Sequence, residues 1–403
     1  GIYPSYVVSS FSPIQSMKSK SLVVDKGQRG TWIRKLLISF QFIFSQLLIV
    51  CTLAVVSQIS FMLDKDLGFA KDGIVHLSVP QFESPEKVDL LVEELEKKSF
   101  VSYISKQQRP PASNGYSTST MEYVKDTTTV NASVHRKWGD ENYLSLYEIE
   151  LIAGRNFRKS ETIQETVISE TYARELGFED FNKAIGVVLK SGEQKHEVVG
   201  VMKDFHFQPL RFSIEPIMVN YTDENARTIG MRLNSSDIQR SINEILGIWD
   251  SIYPDSPMNM SFMDETIERF YKTEKQTSKL ASTATFIAIF ISSLGLFGLI
   301  SFVITNRSKE VGVRKVLGAT AFQISSIISR EFIVLVAVSF VIATPISYYL
   351  ISNWMEDYSY RVNISWWIYL LGGFFSMFIA LSTVGVKVWK AATASPIDSL
   401  RYE

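Results

Sequence analysis

Few side chains in this 403-residue sequence have the type and spacing that chemistry demands. Its four histidines, His76, His135, His196 and His206, are isolated, and no pair has the spacing of a zinc site. No Gly-x-x-x-x-Gly-Lys-Ser/Thr run occurs, so nucleotide is not bound through a phosphate loop. The single cysteine, Cys51, excludes a disulfide framework and a thiolate metal site. The nearest thing to a catalytic constellation is Lys203-Asp204-Phe205-His206 with Arg211 beside it, and polar residues just after a strand usually serve the turn. No catalytic, cofactor or metal site is expected.

The more informative pattern is the run Asn306-Arg-Ser-Lys-Glu-Val-Gly-Val-Arg-Lys-Val-Leu-Gly-Ala-Thr320. Val313, Val316, Leu317, Ile324, Ile327 and Ile328 recur at helical spacing, and Lys309, Glu310, Arg314 and Lys315 occupy other faces. Thr320 with Gln323 spells a capping box, so Gly318 ends one short helix and Thr320 begins the next. Such a helix either lies in a lipid headgroup layer or docks against a protein. Pattern alone leaves both readings open.

Four charge-poor stretches frame this run: 36–63, 280–305, 332–352 and 366–389. Each is long enough to cross a hydrocarbon core about 30 Å thick, which needs roughly 20 apolar residues. None holds Asp, Glu or Arg, and Lys387, their only lysine, is near an end from which it can snorkel. Gln41, Gln46 and Gln58 in the first stretch are expected to face other helices, Gly295 and Gly298 to lie at a helix contact, and Pro345 to kink the third. A net charge of −1 argues against nucleic acid as a partner.

Lys18, Lys20, Lys26, Arg29, Arg34 and Lys35 precede the first span, and Arg307, Lys309, Arg314, Lys315 and Arg330 separate the second from the third. Lys390 and Arg401 follow the fourth, whereas the short loop after the third carries Glu356 and Asp357 against Arg361. The positive-inside rule then puts both ends and the 306–331 loop in the cytoplasm, with residues 64–278 outside.

That outer segment reads as an α+β domain. Strand-like 73–79 precedes a helix opened by Ser84 and Pro85 and running to about Lys98. The polar stretch 101–135 reads as exposed strands or mobile loops. Strands are expected at 166–169, 187–190 and 197–202, with a helix from Glu170 closed by Gly177. A strand at 228–233, a helix at 236–252 and a strand at 258–263 form a split β-α-β unit. The fold class is thus a four-helix membrane protein with an α+β extracytoplasmic domain.

The Arg-Ser-Lys-Glu-Val-Gly-Val-Arg-Lys-Val-Leu-Gly-Ala-Thr run closely resembles the segment joining two membrane helices in permeases of the MacB/FtsX/LolE-type ABC transporter family. Tyr143-Leu144, Gly154-Arg-Asn-Phe157, Val167-Ile-Ser-Glu170, Gly200-Val-Met-Lys-Asp204 and Phe205-His206 resemble landmarks of that family's periplasmic domain. The resemblance implies a non-enzymatic permease in a bacterial inner membrane, surrounded by lipid and driven by a separate, dimeric ATPase. It extends to a periplasmic or outer-membrane partner. Carried over residue by residue, Glu310, Gly312, Arg314, Lys315, Leu317 and Gly318 would couple to the ATPase. It implies a division into a cytoplasmic linker 1–35, a first span 36–63, a periplasmic domain 64–278 and an FtsX-like region 279–403 with a cytoplasmic tail from 390. The repeat of Ser12-Pro-Ile-Gln-Ser-Met-Lys18 as Ser395-Pro-Ile-Asp-Ser-Leu-Arg401 suggests the second half of a tandem permease. The rival reading is a membrane sensor whose outer domain reports a ligand inward.

Overall fold

The computed structural model describes residues 23–393, apart from 81–82, 114, 116, 126–127, 161–162, 223–225 and 235–236. Both copies of the Ser-Pro-Ile repeat and most of the proposed linker and tail lie outside these residues. The chain forms two compact units: helices as far as Ser57, from Gln276 to Glu356 and from Val362 onward, and a β-rich unit of Gln58–Lys275 with Asp357–Arg361.

The β-rich unit begins with β1 (Ile74–Ser78), helix α2 (Pro85–Glu96) and β2 (Val101–Gln107), α1 being the preceding long helix Val23–Asp64. The polar stretch resolves into β2 and a long hairpin of β3 (Ser117–Lys125) and β4 (Thr128–Gly139). It is ordered because Met121, Ala132 and Val134 alternate inward while Ser and Thr face out, a strand period hidden by its polarity. A short α3 (Tyr143–Leu146), β5 (Leu151–Gly154), β6 (Gln164–Ser169) and α4 (Glu170–Glu175) follow. Ser169 caps α4, and Gly177 at φ +87° turns the chain away, as only glycine does without strain. Then come β7 (Val188–Ser191), β8 (Gln194–Met202), β9 (Ile217–Tyr221), β10 (Thr228–Leu233), α5 (Ile238–Ile252), β11 (Met260–Phe262) and α6 (Met263–Phe270). Helix α5 is capped by Asp237, whose side chain accepts from Arg240 N, and Ser236, where the expected helix began, lies outside the described residues. Ser84 precedes α2 without a side-chain capping bond; Pro85, with φ already helical, starts that helix.

Two cores follow from the pairing. Strands β11, β1, β10 and β2 form an antiparallel sheet in that order, with Val75, Leu77, Ile104, Ile229 and Met231 facing α2 and α5. Strands β4, β3, β7, β8, β6 and β9 pair in a closed circuit, β9 returning parallel to β4. Their core holds Met121, Val134, Ile168, Tyr172, Leu189 and Val201. The sheets join at one residue pair, Gln107 with Gly139.

In the helical unit, α1 is followed by α7 (Lys272–Asn306), α8 (Ser308–Val316), α9 (Ala321–Met355) and α10 (Trp366–Thr393). The four long helices contain the four expected spans. Three of them begin well before the apolar stretches, at Val23, Lys272 and Ala321; in 272–279 and 321–331 neither glycine nor proline interrupts the helix. Helix α9 passes through Pro345 unbroken. Ile38, Phe42, Leu296, Ile300, Phe332, Val336 and Val384 pack together. Hydroxyls tie helix to helix: Ser339 Oγ donates to Ser39 O at 3.1 Å, and Ser292 Oγ to Gln41 O at 3.3 Å. Gln46 is buried and donates to Val336 O at 3.4 Å. Gly295 makes the expected close approach, since a Cβ there would be 2.5 Å from Gln41 Oε1, but Gly298 faces open space. Lys387 lies over the Phe297 ring, 4.1 Å from its centroid.

Candidate functional site

Helix α8 is short because two local features confine it. Arg307 at φ −101° breaks the end of α7, and Gly318 at φ +92° reverses the chain after Leu317. Thr320 then starts α9 through a complete capping box: its hydroxyl accepts from Gln323 N at 3.3 Å, and Gln323 Oε1 accepts from Thr320 N at 2.9 Å. Two of the charged residues meet, Arg314 Nη2 donating to Glu310 Oε1 at 2.7 Å one turn away.

One side of α8 is held to the bundle. Val311 packs on the cluster around Ile300 and Ile324, and Gly312 is buried. The opposite side is open: Val313, Val316 and Leu317 are 54%, 68% and 80% exposed. Arg314 and Lys315 are half-buried, and Gly318 is exposed. Glu331, on α9, pairs with Lys35 and, at 3.6 Å, with Arg307, so the two ends of this loop are tied at one carboxylate. Glu331 was not singled out in the sequence, where its only signal was a lone acid at the edge of an apolar stretch. Phe322, 75% exposed beside the capping box, was passed over as well.

The Lys203–His206 group does structural work. Asp204 accepts from Thr171 N at 2.9 Å and Thr171 Oγ1 at 2.6 Å, fastening the first turn of α4. His206 is buried, its imidazole held below the usual pKa by burial and the Lys65 charge, and its ring meets Tyr360 edge-on at 4.7 Å. Residues 357–361, which the sequence offered only as an acidic loop, clasp this region. Ser359 N donates to Arg211 O at 3.1 Å, Tyr360 N to Leu210 O at 3.2 Å, and Gln58 Nε2 to Tyr360 O at 2.8 Å. Arg211 pairs with Asp357 at 3.3 Å. Among the described residues no group of three or more His, Cys, Asp or Glu is placed to hold a metal ion.

Four helices of membrane-spanning length carrying a β-rich domain, with a short capped helix between the second and third, define a multi-pass membrane protein. Residues 47–246 match the family model for the MacB-like periplasmic core domain, and residues 282–396 match that for the FtsX-like permease C-terminal region. The chain belongs to the MacB/FtsX type of ABC transporter permeases, multi-pass proteins of the bacterial inner membrane with the β-rich domain extracytoplasmic. It is 25% identical over 281 residues to the uncharacterized ABC transporter permease YknZ of Bacillus subtilis, covering 66% of this chain and 69% of that one. It is 25% identical over 203 residues to the macrolide export ATP-binding/permease protein MacB of Syntrophobacter fumaroxidans, covering 47% and 27%. With the MacB of Bdellovibrio bacteriovorus the figures are 24% over 272 residues, 62% and 41%. The chain thus spans less than half the length of these MacB relatives. A crystal structure of the periplasmic region of MacB from Actinobacillus actinomycetemcomitans aligns with a TM-score of 0.37 at 10% identity, over 52% of this chain and 98% of that one.

Proposed function

We propose that this permease couples ATP hydrolysis by a separate, dimeric ABC-type ATPase to movement of its extracytoplasmic domain, in the export or extraction of a substrate. Glu310, Gly312, Arg314, Lys315, Leu317 and Gly318 are the coupling residues, Gly312 from its buried place against the bundle and the others at the surface offered to the ATPase. The observation that carries this reading is the composition of the open face of α8. Glu310, Val313, Arg314 and Leu317 follow one another at i, i+3, i+4 and i+7, so a paired acid and base share a stripe with exposed apolar side chains. A helix lying in headgroups separates an apolar face from a basic one. Apolar contacts rimmed by complementary charge suit a protein surface instead. The names of the MacB relatives join ATP-binding and permease in one protein; the 403 residues here carry no phosphate loop, and the proposed ATPase supplies it.

The test is affinity capture of the chain from its native membranes in mild detergent, with and without a non-hydrolysable ATP analogue. An ATPase bearing a phosphate loop should co-purify, in an amount that changes with nucleotide. Capture of the chain with no such ATPase under either condition would favour a ligand sensor and sink the ATPase-coupling reading.

A further inference from the structure

Ile324, Ile328 and Leu335 turn α9 towards the helical core, and Glu331 falls in the same stripe, three residues after Ile328 and four before Leu335. A carboxylate thus stands at a seam position that an apolar side chain would fill, directly before buried Phe332. An ionic group in a packed seam costs stability, and its best-attested use is to set the register between helices.

Several helices meet at this carboxylate. Lys35 reaches it from α1, and Arg307 Nη2 reaches it at 3.6 Å from the corner between α7 and α8. Arg307 serves both helices of that corner: its N–H donates to Val303 O at 2.9 Å, closing α7, and its carbonyl accepts from Val311 N at 2.9 Å, opening α8. One residue before Lys35, Arg34 lies over the Phe302 ring of α7, 4.1 Å from its centroid. Two neighbouring cations at this end of α1 are therefore engaged.

Helix α8 is joined through the chain to α7 at Arg307 and to α9 by the turn from Leu317 to Thr320. Helix α1 has no such link, since Lys35 stands 296 residues from Glu331. Yet α1, ending at Asp64, and α7, starting at Lys272, are the two helices that lead into and out of the β-rich segment. Further along α1, Ser39 O and Gln41 O accept from neutral hydroxyls, and charge-assisted bonds are about twice as strong as those.

We infer that Glu331 is a positioning residue that makes α1 follow α8, so that both helices leading to the outer domain move when an ATPase displaces α8. The inference rests on the coupling reading above. Without the carboxylate, movement of α8 still passes along the chain into α7 but reaches α1 weakly.

The test uses the full chain with its co-purifying ATPase in lipid nanodiscs, in a Cys51→Ser background. A spin label is attached at Asp64→Cys or at Lys272→Cys, both exposed positions, and spectra are compared with and without a non-hydrolysable ATP analogue. The parent should respond at both labels. Glu331→Gln, which keeps the shape and removes the charge, should keep the response at Lys272 and lose most of that at Asp64, with the ATPase still co-purifying. Lys35→Gln should do the same, which covers a Glu331 variant that fails to fold, and Glu331→Asp, which keeps the charge, should retain part of the Asp64 response. A parental response at Asp64 in both neutral variants, or loss at both labels, would overturn the inference and leave the coupling reading standing. Silence at both labels in the parent would overturn the coupling reading and this inference with it.

Discussion

Replacing Lys137 by Met is expected to make the protein more stable at neutral pH, although it removes a side chain with two hydrogen bonds. Lys137 is 2% exposed within β4, with no carboxylate partner among the described residues. Burial first, and then the charge of Arg109, lower its pKa from 10.5 to about 7. The difference between 10.5 and about 7, at 1.36 kcal/mol per pH unit, amounts to about 4–5 kcal/mol lost on burying this amine at pH 7. Met fills a similar volume and forfeits two bonds worth ~1 kcal/mol each, so a net gain of about 2–3 kcal/mol follows. The pH dependence has a definite sign. Below pH 7 the amine is charged in both states and the penalty is complete. Between about 7 and 10.5 the unfolded chain binds the extra proton, so stability rises with pH, and above 10.5 the penalty is gone. Denaturant unfolding in detergent at pH 7 and pH 10 should therefore show the parent gaining on the variant as pH rises. A Lys137→Met protein less stable than the parent at pH 7, or one with the same pH slope, would refute this reasoning.

Three further outcomes are expected. In a Cys51→Ser background, cysteines at Lys195 and Lys203 should react with an impermeant thiol reagent on intact spheroplasts, whereas one at Val316 should react only after permeabilisation; buried Lys137 cannot serve as an outer marker. Asp204→Ala should cost about 1–2 kcal/mol, read from the unfolding midpoint, by uncapping the first turn of α4 at Thr171. Tyr360→Ala should speed amide hydrogen exchange at Ser359, its neighbour in the clasp, and at His206, whose ring Tyr360 touches, and leave exchange in α8 unchanged.

The helical unit was largely legible in the sequence because its signals are local. Four charge-poor stretches gave the spans, and the capping box at Thr320 with Gly318 before it gave the break between α8 and α9. The β-rich unit was legible in parts. The split arrangement of β10, α5 and β11 could be read from hydrophobic period, and β1 lies between those two strands as that arrangement requires. The hairpin of β3 and β4 could not, since its inward Met121, Ala132 and Val134 are diluted by Ser and Thr. Nothing local marked the clasp at 357–361, whose partners are about 150 residues away. The hydrogen bonds of Tyr147 Oη to His76 Nε2 and Gln107 Nε2 were invisible for the same reason: β1, β2 and the end of α3 converge only in the folded domain. For the α8 residues, sequence gave identity and spacing, while which side faces outward depended on how Val311 and Gly312 pack.

The proposed coupling of α8 to an ATPase is tested most directly by ATP hydrolysis in proteoliposomes containing the permease and an ATPase that co-purifies with it. Glu310→Lys raises basicity, which near an anionic leaflet adds about 1 kcal/mol to lipid attraction, yet it breaks the pair with Arg314 and opposes any basic partner, at about 2–5 kcal/mol if that contact is buried. Gly318→Leu forces a side chain into a left-handed turn at φ +92° on the exposed end of the helix. Both variants should insert as the parent does and lose most of the stimulation of ATP hydrolysis. Normal insertion with stimulation equal to the parent's in both would contradict the assignment of α8 as the coupling helix.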